Sequence, residues 1–507
     1  MDILGKGQRA CGAGCQECYN KKYIFAGGPA ASGRRDDFPA SSPMSALRLP
    51  CKRYIRGIYE KIYMKKIDMT HGPIGRKTIR FALFLALTGM LQQVFNTIDT
   101  IIMGQFVGKE AMAAVGSNTP IISFIVTFFI GISIGANVVI SQMTGKGNRE
   151  GIHRAVFSTL AFALAAGIVM TCLSEAVAEP LLSLLQVPDA LMPLSAEYLR
   201  IFFLALPGIL VYNFSSAIFR SQGDTKTPLF CLAVAGVIKV IISYTLVAFF
   251  HQGVAAVAIS TTCATLLSSA MLVTILLRST HVIHLDFKAS LLDLYILREI
   301  LRIGTPAGVQ AAVFCLSNIV IQSAINSLGA DVMAASAAAF NLDILCYIFV
   351  NAFGQACTTF VGQNYGAGDM ARCRRVGVIT TAQNLVVCVI IGAPILYFSP
   401  SLLELFTSDA MVIGYGVTRM CYIILAEPLN LAIEMISAYL RGFGNSLAPA
   451  LITVVGICGF RILYMATVFP AIPSFDCLMT VYPLSWFVTV VGLSVLLFRT
   501  RKKYILG

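Results

Sequence analysis

The chain has 507 residues, 57% of them hydrophobic and only 12% charged, with a mean hydropathy of +0.77. That composition excludes an ordinary water-soluble globule and defines a polytopic membrane protein. The formal charge of +13 invites a nucleic-acid reading, but residues 1 to 80 hold 16 Lys/Arg against 6 Asp/Glu, leaving 22 against 19 in the rest. The excess is a basic flank suited to anionic lipid head groups, and no nucleic-acid partner is expected.

Residues 1–63 contain CGAGCQEC, which places Cys11, Cys15 and Cys18 at a spacing that resembles the cluster ligands of radical SAM enzymes. Such an enzyme needs a barrel of about 200 residues downstream, whereas apolar spans begin within about 60. We therefore expect no cofactor, and read 1–63 as a disordered basic extension or an over-early start. No signal peptide is recognisable there. From Met64, MKKIDMTHGPIGRK is a basic amphipathic lead-in to the membrane. The 15 cysteines are mostly scattered singly through apolar runs, and no disulfide framework is expected.

A bilayer-crossing helix needs about 20 mostly apolar residues. Such runs recur at 80–103, 112–141, 153–175, 194–218, 228–250, 254–277, 299–325, 333–361, 375–397, 412–439, 447–469 and 477–498. The prediction is an all-α membrane protein of twelve transmembrane helices. Cations cluster after the even-numbered spans: Lys146, Arg149 and Arg154; Arg220 and Lys226; Arg278, Lys288, Arg298 and Arg302; Arg372, Arg374 and Arg375; Arg441; and Arg499 to Lys503. The opposite loops are acidic, with Lys109, Arg200 and Arg419 near helix ends as exceptions. By the positive-inside rule both termini are cytoplasmic, in a cell (inner or plasma) membrane protein.

The chain repeats itself. VGKEAMAA (107–114) returns as LGADVMAA (328–335), SQMTGKGNREGIHR (141–154) as GQNYGAGDMARCRR (362–375), and FRSQGDTKTP (219–228) as LRGFGNSLAP (440–449), each offset by 221. Pro207 and Pro428 obey the same offset. This implies two homologous six-helix bundles, and since six is even they are parallel, related by a pseudo-two-fold axis along the membrane normal with a cleft between them. The expected divisions are an N-lobe (64–277), a cytoplasmic linker (278–298) with an amphipathic interfacial helix, a C-lobe (299–498) and a basic tail (499–507). The repeated glycine segments lack the strand and Lys-Ser/Thr of a phosphate loop, and read as cytoplasmic turns.

A charge at bilayer depth costs about 3 kcal/mol or more, so it faces the protein interior and often marks a transport path. Gln92, Asn96 and Asp99 share one face of the first helix, whose other faces are apolar. Lys239 and Ser243 share a stripe on the fifth helix, and Asn213 lies on the fourth. In the second half Glu427, Asn430 and Glu434 share a face of the tenth helix, Asp343, Tyr347 and Asn351 one of the eighth, and Asn318 and Gln322 stand on the seventh. Arg461 lies one residue from the repeat equivalent of Lys239. Asp99 with Lys239, and Glu434 with Arg461, are the expected cross-helix pairs, Lys239 and Arg461 being the deep cations of the reading. Such pairs either lock helix packing or, where burial and a neighbouring ammonium act on one carboxyl in opposite senses, form a coupling device. No metal site is expected, and the five histidines fall in flanks or loops, which disfavours an enzyme.

With these residues in place, the segment from about Met64 to Arg501 resembles the multidrug and toxic compound extrusion (MATE) transporters of DinF/NorM-like type. FNTIDTIIMGQFVGKEAMAAVG looks like their first helix and following loop, and SQMTGKGNRE, GQNYGAGD and RSQGDTKTP like their repeated loops. The resemblance implies twelve helices in two lobes, a V-shaped alternating-access cleft, and export of amphipathic or cationic small molecules driven by H+ or Na+. It places Asp99 on the carboxylate implicated in proton coupling. Lys239 and Ser243 depart from the Asn and Asp of many relatives, and Asn318 and Gln322 from the acidic residue of some sodium-coupled ones, so H+ is favoured over Na+. The ion-coupling residues are then Asp99 and Lys239. The substrate cavity comprises Gln92, Asn96, Asn213, Asn318, Gln322, Asp343, Glu427, Asn430, Glu434 and Arg461. The expected partners are small-molecule substrates and membrane lipid, with one chain sufficient for function. The alternatives are a Na+-coupled exporter and a flippase for a lipid-linked precursor.

Overall fold

The computed structural model describes residues 66–184, 188, 191–278, 283 and 292–501. The extension with its cysteine cluster, most of the linker with its expected interfacial helix, and the end of the basic tail lie outside the described residues. Apolar runs flanked by loop residues become helices because only a helix satisfies its own backbone polar groups in hydrocarbon. They are α1 (Ile74–Ile102), α2 (Lys109–Gly145), α3 (Arg149–Leu184), α4 (Met192–Phe203 and Leu206–Ser221, bent by 46°), α5 (Lys226–Ala248) and α6 (Val254–Arg278). In the second half come α7 (Leu294–Ser327), α8 (Ala330–Gly366), α9 (Met370–Tyr397), α10 (Ala410–Gly442), α11 (Leu447–Thr467) and α12 (Phe475–Arg501). Eleven are long and apolar enough to cross a bilayer, and the bent α4 makes twelve.

Most helices start a few residues ahead of their apolar runs, and α7 shows how. α7 begins at Leu294, not at 299, because the Asp293 carboxylate accepts the N–H groups of Tyr295 and Ile296 at 3.0 and 3.1 Å and caps the turn.

The repeat is visible in the backbone. Gly108 and Gly329 have φ of 117° and 110°, Gly147 and Gly368 70° and 82°, and Gly223 and Gly444 82° and 87°. These are left-handed turns, adopted by glycine at no steric cost, at the offset of 221 found in the sequence.

The lobes exchange the first halves of their first helices. Phe81, Ala82, Leu85 and Ala86 of α1 belong to an apolar core with Phe353, Phe360 and Met435 of α8 and α10. Further along α1, Ile102 packs on Val247 of α5. In mirror fashion Ile296, Ile300 and Ile303 of α7 join the core of α2 to α6, while Ile321 and Ile325 pack with Tyr464 and Leu478 of α11 and α12.

At the end bearing the repeated glycine loops, the two lobes meet in close contact. A Cβ on Gly145 would fall 1.9 Å from the Gln363 oxygen, and one on Gly366 2.1 Å from that of Gln142. Gln142 Nε2 donates to the Gly442 carbonyl at 2.9 Å and Gln363 Nε2 to that of Ser221 at 2.6 Å, bonds exchanged across the pseudo-two-fold axis. Residues 66–72 strap this end: Ile67 N–H donates to the Gly223 carbonyl of one lobe, while the Met69 carbonyl accepts from Asn364 and Arg372 of the other.

We expect Gly145→Ala to lower the stability of the detergent-solubilised protein by about 1–3 kcal/mol through overpacking. Gly414→Ala, where none of the described residues comes within 4 Å of the added carbon, should be neutral or slightly stabilising in thermal denaturation. The strap has its own pH signature. Partial burial would raise the Asp68 carboxyl, but hydrogen bonds from Thr70 and the His71 N–H, with Lys77 nearby, hold it below its ordinary 3.8. A lowered folded value means support present above pH 3.8 and lost as pH falls through the lower value. Hydrogen exchange of residues 66–72 should accelerate in that acid range, and Asp68→Asn should reproduce the loosening at neutral pH.

Candidate functional site

In the N-lobe the predicted pair forms. The Phe95 ring of α1 lies so close over Gly236 of α5 that a Cβ there would sit 1.8 Å from it. One turn beyond Phe95 is Asp99, and nearly one turn beyond Gly236 is Lys239, so the same close approach brings the two together. Lys239 Nζ donates to Asp99 Oδ2, with side chains 10% and 15% exposed. Among the described residues neither the buried Asp99 Oδ1 nor Ser243 Oγ, one turn past Lys239, has a hydrogen-bond partner. Gln92 and Asn96 are exposed on the same helix.

The C-lobe differs from the sequence expectation. Glu434 does not meet Arg461; it accepts from Arg441 Nη2 at 2.5 Å. Both stand on α10 seven residues apart, two turns on one face, and Gly354 of α8 leaves the space, since a Cβ there would lie 2.6 Å from Glu434 Oε1. Asp343 of α8 is also paired: Arg419 donates to its Oδ2 through Nε at 3.3 Å and Nη2 at 3.1 Å, with side chains 7% and 9% exposed. Arg419 is therefore not a helix-end cation but lies nine residues inside α10. Lys239 and Arg461 are consequently not alone at depth, because Arg419 and Arg441 are buried as well. Asn430 donates to Glu427 Oε1 at 2.9 Å. Gln322 bonds Asn326 of its own helix and stays outside this network.

Arg461 is wholly buried, and among the described residues no carboxylate pairs with it. Its Nη1 donates to Asn318 Oδ1 at 3.1 Å and its Nε to Ser485 Oγ at 3.3 Å, while the guanidinium lies 4.6 Å from the Tyr482 ring and 5.3 Å from that of Phe314. A π-helical turn at Val454–Gly459 explains the one-residue slip from Lys239. Such a turn absorbs an inserted residue without rotating the remainder of the helix, so beyond it the offset is 222 and Arg461 takes the place of Lys239.

Between the lobes lies a cavity of about 200 Å³. It brings Gln92 of α1 and Asn213 of α4 together with Tyr347, Asn351 and Gln355 of α8, and Arg220 reaches its wall. Asn318, Asp343, Glu427, Asn430, Glu434 and Arg461 do not line it; they form the polar interior of the C-lobe. A second space of about 550 Å³ lies under the strap, between it and the glycine loops. Sequence reasoning missed Arg220, Arg419, Arg441 and Tyr482 as site residues. The Glu434–Arg441 spacing of seven was a readable signal; the Tyr482 contact with Arg461, made between two consecutive helices, was not, because no residue spacing within one helix marks it.

Two six-helix lobes around a polar cleft, with ionisable groups inside the membrane-spanning segments, define a secondary transporter rather than an enzyme. The MatE family model matches residues 85–245 and 306–467, two copies whose starts are 221 residues apart, the offset of the internal repeat. The chain belongs to this family of multidrug efflux transporters. It is 27% identical over 397 residues to a Bacillus subtilis protein described as probable multidrug resistance protein YoeA, covering 77% of this chain and 86% of that one. It is 25% identical to a probable NorM of Thermotoga maritima (79% and 87%) and 25% identical to an FAD transporter of Shewanella oneidensis (68% and 76%). Its fold matches a crystal structure of MATE in complex with MaL6 (TM-score 0.80, 18% identity, 86% and 98% covered) and a MOP superfamily transporter from Pyrococcus furiosus (0.79, 18%, 86% and 98%).

Arg441→Met should cost about 3–5 kcal/mol by leaving Glu434 at depth without its partner. Adding Glu434→Gln should recover most of that loss, as read by thermal denaturation of the purified protein.

Proposed function

We propose that the protein is a proton-coupled antiporter that exports amphipathic small molecules by alternating access, with one chain as the working unit. The observation that carries this reading is the position of the Asp99–Lys239 pair. It fastens the second half of α1 to α5 in the N-lobe, while the first half of the same helix is rooted in the C-lobe core. A proton on Asp99 removes the charge that holds Lys239, and so acts on the helix that ties the two lobes together. Substrate and proton need only favour opposite lobe arrangements by a few kcal/mol.

The glycine-loop end carries Lys146, Arg149, Lys226 and Arg372, and by the positive-inside rule it is cytoplasmic, as are both termini, in the cell membrane. The lobe contacts and the strap close that end, so the conformation is the outward-facing one. Proton loading then accompanies release outside, and the return to the cytoplasm resets the pair.

The test is transport in proteoliposomes with pH and Na+ gradients imposed separately. Efflux should follow the pH gradient and ignore the Na+ gradient. Asp99→Asn should insert normally and lose about tenfold or more of gradient-driven efflux, while keeping downhill exchange. Undiminished driven transport in Asp99→Asn would remove this carboxylate from the mechanism.

A further inference from the structure

Setting the two halves side by side isolates one arginine. Asn213 and Arg220 of α4 stand 221 residues before Glu434 and Arg441 of α10, so both pairs share the same two-turn spacing along one helix face. In the C-lobe that face carries a carboxylate bonded to its guanidinium. In the N-lobe the carboxylate is replaced by a carboxamide, whose Nδ2 is taken up by the Ile209 carbonyl of its own helix at 2.8 Å. Among the described residues no carboxylate pairs with Arg220, and its buried Nε has no hydrogen-bond partner. The nearest acid in sequence, Asp224, is engaged elsewhere: it accepts the N–H groups of Lys226 and Thr227 and the Thr227 hydroxyl at the start of α5.

Arg220 faces the inter-lobe cavity of about 200 Å³, and among the described residues lining that cavity it is the one that carries a charge. The carboxylates Asp99, Asp343 and Glu434 are matched by Lys239, Arg419 and Arg441, and Glu427 does not line the cavity. The floor of the cleft therefore offers a cation and no free anion. A guanidinium withdrawn from bulk water is stable when something supplies its counter-charge, and its planar fork fits carboxylate and phosphate oxygens. The surrounding wall of Gln92, Tyr212, Tyr347, Asn351 and Leu85 mixes hydrogen-bonding groups with apolar surface, as expected where an amphipathic molecule sits.

We propose that Arg220 receives the anionic group, a carboxylate or phosphate, of an amphipathic substrate whose apolar body lies along the cleft walls. The assignment rests on the transport reading for its role in export and goes beyond it by fixing the charge of the cargo as anionic or zwitterionic, not cationic.

The experiment is equilibrium dialysis of the full chain in phosphatidylcholine nanodiscs with three probes of one apolar body: 2-naphthyl phosphate, 2-naphthoate and 2-naphthylmethylammonium. The protein should hold the two anions about tenfold more tightly than the ammonium compound, equivalent to about 1.4 kcal/mol. Arg220→Gln should abolish the preference, and Arg220→Lys should restore part of it. Asn213→Glu provides the decisive variant, because it rebuilds the C-lobe pair and silences Arg220 while keeping the arginine; it should lose the anion preference as completely as Arg220→Gln. Preference for the ammonium probe, or anion binding unchanged in Asn213→Glu, would overturn the proposal. Adding phosphatidylglycerol to the discs separates the two sources of the anion: displacement of 2-naphthyl phosphate by a small fraction of this lipid identifies a lipid head group, and undisturbed binding a soluble amphipath. Because dialysis needs no gradient, anion binding without proton-driven efflux would overturn the antiport reading alone, and proton-driven efflux without anion preference would overturn this one alone.

Discussion

A charge inside a bilayer must be answered by another group, and that requirement organises the interior of this protein. Asp99 and Lys239 bind α1 to α5, Asp343 and Arg419 bind α8 to α10, and Arg461 binds α11 to α7 and α12 through Asn318 and Ser485. These bonds lie within lobes as the packing defines them, and charge-assisted bonds are the strong ones. The glycine-loop contacts between lobes are of another kind: glycine backbones in close approach and the neutral amides of Gln142 and Gln363 on carbonyls. Neutral bonds of that type contribute about 1 kcal/mol each. The strong interactions make each lobe stiff, and the weak ones leave the junction free to open.

Much of the fold was legible because hydrocarbon imposes simple demands. Twelve long apolar runs could only be helices, and the offset of 221 could only mean two parallel halves. Left-handed glycines later appeared in pairs at that offset because a turn of fixed shape needs the same residue in both copies. Lobe membership was less visible. Nothing in the apolar pattern of α1 tells that Phe81 belongs with Phe360 and Ile102 with Val247, since both halves are equally apolar.

The site was legible in proportion to how local its contacts were. Gln92, Asn96 and Asp99 announced a polar face by their spacing, and Lys239 was the available partner at matching depth. Glu434 was assigned to the wrong arginine because a distant helix was preferred over two turns of its own. The slip between Lys239 and Arg461 came from a π turn, which leaves no compositional mark in VVGICG. Arg220 was read only as a positive-inside charge, and its significance emerged when its counterpart in the other half was seen with a partner.

The exchange of helix halves bears on how such a chain could have arisen. Each lobe's core is completed by the beginning of a helix that belongs, in sequence, to the other repeat. A single six-helix unit would carry an apolar limb with no partner and a gap of the same shape. Two separate copies would fill each other's gaps only as an intertwined, same-facing dimer, a domain swap in membrane form. On this view the linker between α6 and α7 did not create the association of the halves; it made permanent a dimer that its parts already required.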